Sequence, residues 1–99
     1  MLHIVNKSHM QTNALQSCLR LARPGSALLL IEDAVYAATG AGAASCSMAD
    51  AMQQLEVHVL LPDAEARGVA GKLLDGVKTV DYAGFVDLVA AHPNNQSWL

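Results

Sequence analysis

Residues 26–31 read SALLLI, an apolar run closed by the acidic pair Glu32-Asp33. A strand that alternates apolar and polar side chains keeps one face in water. A run with no such interruption is buried on both faces, and its usual home is a parallel sheet covered by helices. This stretch therefore sets the expected class as α/β.

On its amino-terminal side, Leu2 to Asn6 is short, apolar and contains a β-branched pair, which predicts a first strand followed by a loop through NKSHMQTN. Thr12 or Asn13 can cap the next segment, where Leu15, Cys18, Leu19 and Ala22 recur at spacings of three and four before Pro24-Gly25 stops it. That pattern predicts a helix with Cys18 on its apolar stripe. On the carboxyl-terminal side, DAVYAA predicts a short helix capped by Asp33, and TGAGAASCS, residues 39–47, predicts a loop.

SMADAMQQL puts Met48, Ala51, Met52 and Leu55 on one helical face, and EVHVLL, residues 56–61, predicts the third strand. In PDAEARG, Pro62 at the first helical position and Gly68 at the end frame another helix. KTVDY predicts a fourth strand, and YAGFVDLVAAHP a last helix with Phe85, Leu88 and Val89 inward, ending at Pro93. Four β-α repeats predict one small three-layer domain over residues 1–99, with a mainly parallel sheet flanked by helices. The last residues, NNQSWL, carry Trp98 and Leu99 where a chain normally frays. Such groups are expected to dock, on this chain or on a partner.

Composition narrows the function classes. The 99 residues are 53% hydrophobic and 15% charged, with a mean hydropathy of +0.27, rich for a domain with so much surface per unit volume. The excess is expected to be buried against other chains. The longest apolar run, Ala27 to Ile31, falls far short of the roughly 20 residues that span a bilayer, so no membrane association is expected. A net charge of -3 with scattered Lys and Arg carries no nucleic-acid footprint. The start, MLHIVNKSHMQTN, lacks the basic and apolar regions of an export signal, so the cytoplasm is expected, with Cys18 and Cys46 reduced.

Two thiols are the candidates for chemistry. A reactive cysteine needs a lowered pKa from a helix N-terminus, a cation or a histidine. Cys18 has Arg20 and Arg23 close in sequence, yet it sits mid-helix on the apolar stripe, where free cysteine serves as a small hydrophobe. Cys46 precedes a predicted helix, whose free amides favour a thiolate, but no His or basic residue adjoins it. His3, His9, His58 and His92 show no metal-ligand spacing, and Gly40-Ala41-Gly42 lacks the setting of a nucleotide-binding loop, so neither metal nor cofactor is expected.

MLHIVNKS at 1–8, LLLIEDAVYAA at 28–38, DAEARG at 63–68, VDYAGFVDL at 80–88 and the terminal SWL, in that order, resemble the DsrH/TusB family of the DsrE-like fold. The likeness covers almost the whole chain, with residues 39–54 outside it. It implies a subunit of a cytoplasmic sulfurtransferase complex that holds two copies each of this chain, a DsrE/TusD-like partner and a DsrF/TusC-like partner. Sulfur passes there as persulfide, toward 2-thiolation of the tRNA wobble uridine or within dissimilatory sulfur oxidation, and on to a downstream sulfur-carrier protein.

The resemblance also implies that the main catalytic cysteine belongs to the DsrE/TusD-like partner, at the start of the helix after the third strand. Here that position reads Leu61-Pro62-Asp63, with no thiol. In the sulfur-oxidation branch the DsrH-type subunit carries a cysteine in its first helix that the tRNA-thiolation proteins generally lack, and QSCLRLA matches that context at Cys18, so the resemblance leans toward sulfur oxidation. Cys18 is thereby either an accessory persulfide thiol or core packing. Trp98 and Leu99 are the candidate interface anchors. Two other classes stay open: an independent thiol carrier acting through Cys18 or Cys46, and a homo-oligomeric interaction protein without chemistry.

Overall fold

The computed structural model describes residues 1–98, apart from the side chains of Ala44 and Ser45. Five strands form one sheet: β1 (Leu2–Val5), β2 (Ala27–Leu30), β3 (Glu56–Leu60), β4 (Lys78–Val80) and β5 (Asn95–Trp98), in the order β4-β3-β2-β1-β5. Every neighbouring pair is parallel, with Val5 beside Leu30 on one flank and beside Trp98 on the other. All four residues of β2 are buried, as its uninterrupted apolar run requires.

Helices α1 (Ala14–Leu21), α2 (Gly40–Cys46), α3 (Met48–Ala51) and α4 (Leu61–Ala66), with a 3-10 helix at Glu32–Ala38, bring Leu15, Cys18, Val35, Ala43, Met48 and Ala64 onto the sheet face lined by Val5, Leu28, Leu30, Val57 and Val59. The opposite face, lined by Leu2, Ile4, Ala27 and Leu29, is covered by a single helix, α5 (Tyr82–Ala91), through Phe85, Leu88 and Val89. The layers follow from connection geometry. Steps from β1 to β4 each move one strand over in the same direction, so right-handed crossovers stack on one face; the return from β4 to β5 reverses direction and must use the other. α5 is about 15 Å long, and it bridges four strand spacings, about 19 Å, so this crossover spans the sheet.

The sheet is thus entirely parallel and has one strand more than the four β-α repeats predicted. β5 leaves no strand signal because NQSW has no apolar alternation; it is an edge strand whose Asn95, Gln96 and Ser97 are exposed. Residues 39–47 are not a loop either: Gly40–Cys46 is helical. Thr39 caps it, its hydroxyl accepting from the Gly42 amide at 3.1 Å and donating to the Tyr36 carbonyl at 2.8 Å. Gly42 is required for that closeness, since a Cβ there would lie 2.0 Å from the Tyr36 oxygen.

Smaller corrections concern helix ends. Asp33 does not cap: the 3-10 helix begins at Glu32 without a side-chain cap, and Asp33 pairs with Arg67 instead. The strand predicted over KTVDY ends at Val80, because the Asp81 carboxylate turns to cap α5 by accepting from the Gly84 amide at 2.7 Å. The helix predicted over SMADAMQQL keeps four residues, Met48–Ala51.

Candidate functional site

Ligand sites of open parallel sheets lie beyond the carboxyl ends of the strands. In this chain the ends of β2 and β3 meet in a tied corner. Glu32, the first residue past the β2 segment and Ile31, adopts φ +50°, a left-handed conformation uncommon for a side chain of its size. Its amide donates to the Asp63 carboxylate at 2.6 Å, and the Arg67 guanidinium donates through Nε to Asp33 at 2.8 Å and through a terminal nitrogen to the Asp63 carbonyl at 3.2 Å. Asp33 raises the Arg67 pKa further, so the guanidinium stays charged throughout the ordinary pH range. α4 begins directly at the end of β3 with Leu61, Pro62 and Asp63, so this corner can hold backbone in place but offers no nucleophile.

Cys18 lies on the inward face of α1 and is fully buried among core side chains. Burial pushes its thiol up to about 12, so at neutral pH it is protonated and out of reach of a donor. Cys46 ends α2 and stands just before the start of α3; its Sγ lies 3.4 Å from the Gly42 carbonyl. Burial raises its pKa too, and the Met48 amide offsets part of the rise. This half-buried thiol shares a cleft of about 470 Å³ with His9, Gln16, Arg20 and Asp50. Both cysteines are free.

Trp98 anchors the outer edge of the sheet. Its ring packs against the core cluster and its indole N–H donates to Nδ1 of His3 at 3.1 Å. Leu99, paired with it as a candidate anchor, lies outside the described residues. The His3–Trp98 contact, the Asp63–Glu32 bond and the Arg67–Asp33 pair each join residues far apart in sequence, which no local spacing signals. Among the described residues no three His, Cys, Asp or Glu side chains group as a metal would require, and no helix is long and apolar enough to cross a membrane.

Comparison with known proteins agrees with this architecture. The fold is shared with the YchN protein from E. coli, which superposes with a TM-score of 0.77 over 97% of either chain at 20% sequence identity. Proteins called Protein TusB from Salmonella dublin and Salmonella arizonae are each 39% identical over 80 residues, 81% of this chain and 82% of theirs. The family model described as DsrH like protein matches residues 7–95. The chain therefore belongs to the DsrH family, with TusB proteins among its relatives.

Proposed function

We propose that this chain is an assembly subunit of a cytoplasmic sulfur-relay complex, built with DsrE/TusD-like and DsrF/TusC-like partners in two copies of each. The observation that carries this reading is family membership over most of the chain, combined with Leu61-Pro62-Asp63 at the turn where a sulfur-accepting thiol is expected. The 39% identity to TusB proteins favours delivery toward 2-thiolation of the tRNA wobble uridine over the sulfur-oxidation branch.

In such a relay a thiolate attacks the outer sulfur of a donor persulfide, the S–S bond breaks, and the donor leaves as a thiolate while the acceptor becomes the persulfide. The acceptor must be ionised and exposed. Cys18 is buried and held protonated, which supports a packing role; an accessory persulfide role, favoured by its helix-one context, requires α1 to lift from the core.

α5 supports an assembly role. Its sequence, YAGFVDLVAA, has one charged residue, Asp87, yet none of its side chains is fully buried, and Tyr82 and Val86 stand 62% and 66% exposed. A helix apolar all round is suited to cover on both sides, here the sheet on one and a partner subunit on the other. Trp98, which ends the edge strand β5, is a second candidate contact, together with Leu99, which follows it in the sequence.

The test is co-expression with the two partner types followed by native mass spectrometry. A species with equal numbers of the three chains is expected; a stable monomer that ignores both partners contradicts the reading.

A further inference from the structure

The hydrogen bond between Trp98 and His3 has a fixed polarity. An indole N–H can only donate, so Nδ1 of His3 must accept, and the ring proton of the neutral imidazole sits on Nε2. His3 is 4% exposed, at the middle of β1, and Trp98 ends the edge strand β5, pairing with Val5 two residues further along β1. We propose that this pair is an acid-released latch: protonation of His3 turns Nδ1 into a donor facing another donor, and the Trp98 end of β5 detaches from the sheet edge.

The surroundings of His3 favour this response. Its neighbours across the register are Leu28 on β2 and Gln96 on β5, neither of them titratable. The charged groups that line the same cleft, of about 620 Å³, are Arg23, just past α1, and the α-amino group of Met1, while Leu21 at the end of α1 is apolar. No carboxylate lines this cleft among the described residues. An imidazolium formed here thus meets no counter-charge among the described residues, and it loses the indole it was bonded to. Burial, with the Met1 amine second, holds the His3 pKa below its ordinary value, so the latch is closed at neutral pH and opens on acidification.

Opening exposes apolar surface, because Trp98 packs against the core cluster with Leu19 and Ala22 at its margin. Val5 then loses the backbone pairing that Trp98 supplied at the end of β5, while the start of the strand stays on the sheet. The latch stands on this geometry and does not depend on which proteins the chain assembles with.

The chain contains one tryptophan, so its fluorescence reports this site alone. Emission is expected to move to the red as the pH falls below the ordinary histidine value of 6.5, with far-UV circular dichroism unchanged. In His3→Gln, whose side-chain oxygen can still accept at any pH, the blue emission should persist across the range. The same acid transition in His3→Gln as in the wild type overturns the proposal. If that variant does not fold, nuclear magnetic resonance of the native chain decides. The Trp98 indole N–H signal should move with the midpoint of the His3 ring titration. A Trp98 signal that stays still while His3 titrates, or a His3 that takes up no proton before the chain unfolds, overturns it as well.

Discussion

Nε of Arg67 lies 2.8 Å from Oδ1 of Asp33, tying the helix after β3 to the turn after β2. The pair is partly exposed, with side-chain exposures of 25% and 45%, so screening limits its worth. Arg67→Ala should cost no more than about 1 kcal/mol in denaturant unfolding, and Asp63→Ala, which strips the Glu32 amide of its acceptor, about 1–2 kcal/mol. The double substitution should cost less than the sum, since both act on one corner.

Gly42 should tolerate no side chain. A Cβ there meets the Tyr36 carbonyl at 2.0 Å, so Gly42→Ala must displace either the 3-10 helix or α2, at a cost of about 2 kcal/mol or more. Gly40→Ala, at a position with open space around it, is the control and should be neutral or slightly stabilising. Thermal unfolding of the two variants side by side checks the contrast.

His58 sets a pH dependence of stability. It is 6% exposed on β3, neither ring nitrogen reaches a hydrogen-bond partner, and Oε2 of Glu56 stands 3.6 Å from Nε2. Burial lowers its pKa; Glu56 pulls upward against this, while Lys78 and His92 push it down. The folded state therefore holds the proton less tightly than the unfolded chain. Stability from this group is fully present above the ordinary value of 6.5 and falls as pH drops below it toward the lowered folded value. Unfolding midpoints measured from neutral pH downward should fall, and His58→Gln should flatten part of that slope.

The two thiols should separate by reactivity. Iodoacetamide on the native chain should label Cys46 slowly and Cys18 only upon unfolding, because Cys18 is fully buried. Cys18→Ser should cost about 1–2 kcal/mol by placing a hydroxyl in an apolar site. Cys46→Ser should lie within about 0.5 kcal/mol of the wild type, since a hydroxyl can take over the contact with the Gly42 carbonyl.

Much of this fold was legible because its interior strands advertise themselves. SALLLI and EVHVLL sit deep in a parallel sheet, where burial on both faces selects apolar side chains at most positions, with His58 a buried exception. β5 was not legible: an edge strand needs no apolar pattern, and NQSW is held by backbone pairing to β1 and by one ring. α2 was hidden for another reason. Its glycines disfavour helix locally, and only the tertiary approach of Tyr36 explains why Gly42 stands there. At the candidate site, the burial of Cys18 followed from its stripe, whereas the partners of Asp33, Asp63 and Trp98 lie more than thirty residues away and leave no local trace.

The central claim is that this chain builds the relay and another subunit accepts the sulfur. The direct measurement is mass spectrometry of each subunit after the assembled complex has been supplied with a persulfide donor. One added sulfur is expected on a cysteine of the DsrE/TusD-like partner, with Cys18 and Cys46 of this chain unmodified on the same timescale. Uptake of sulfur on Cys18 or Cys46 as fast as on the partner would contradict the account.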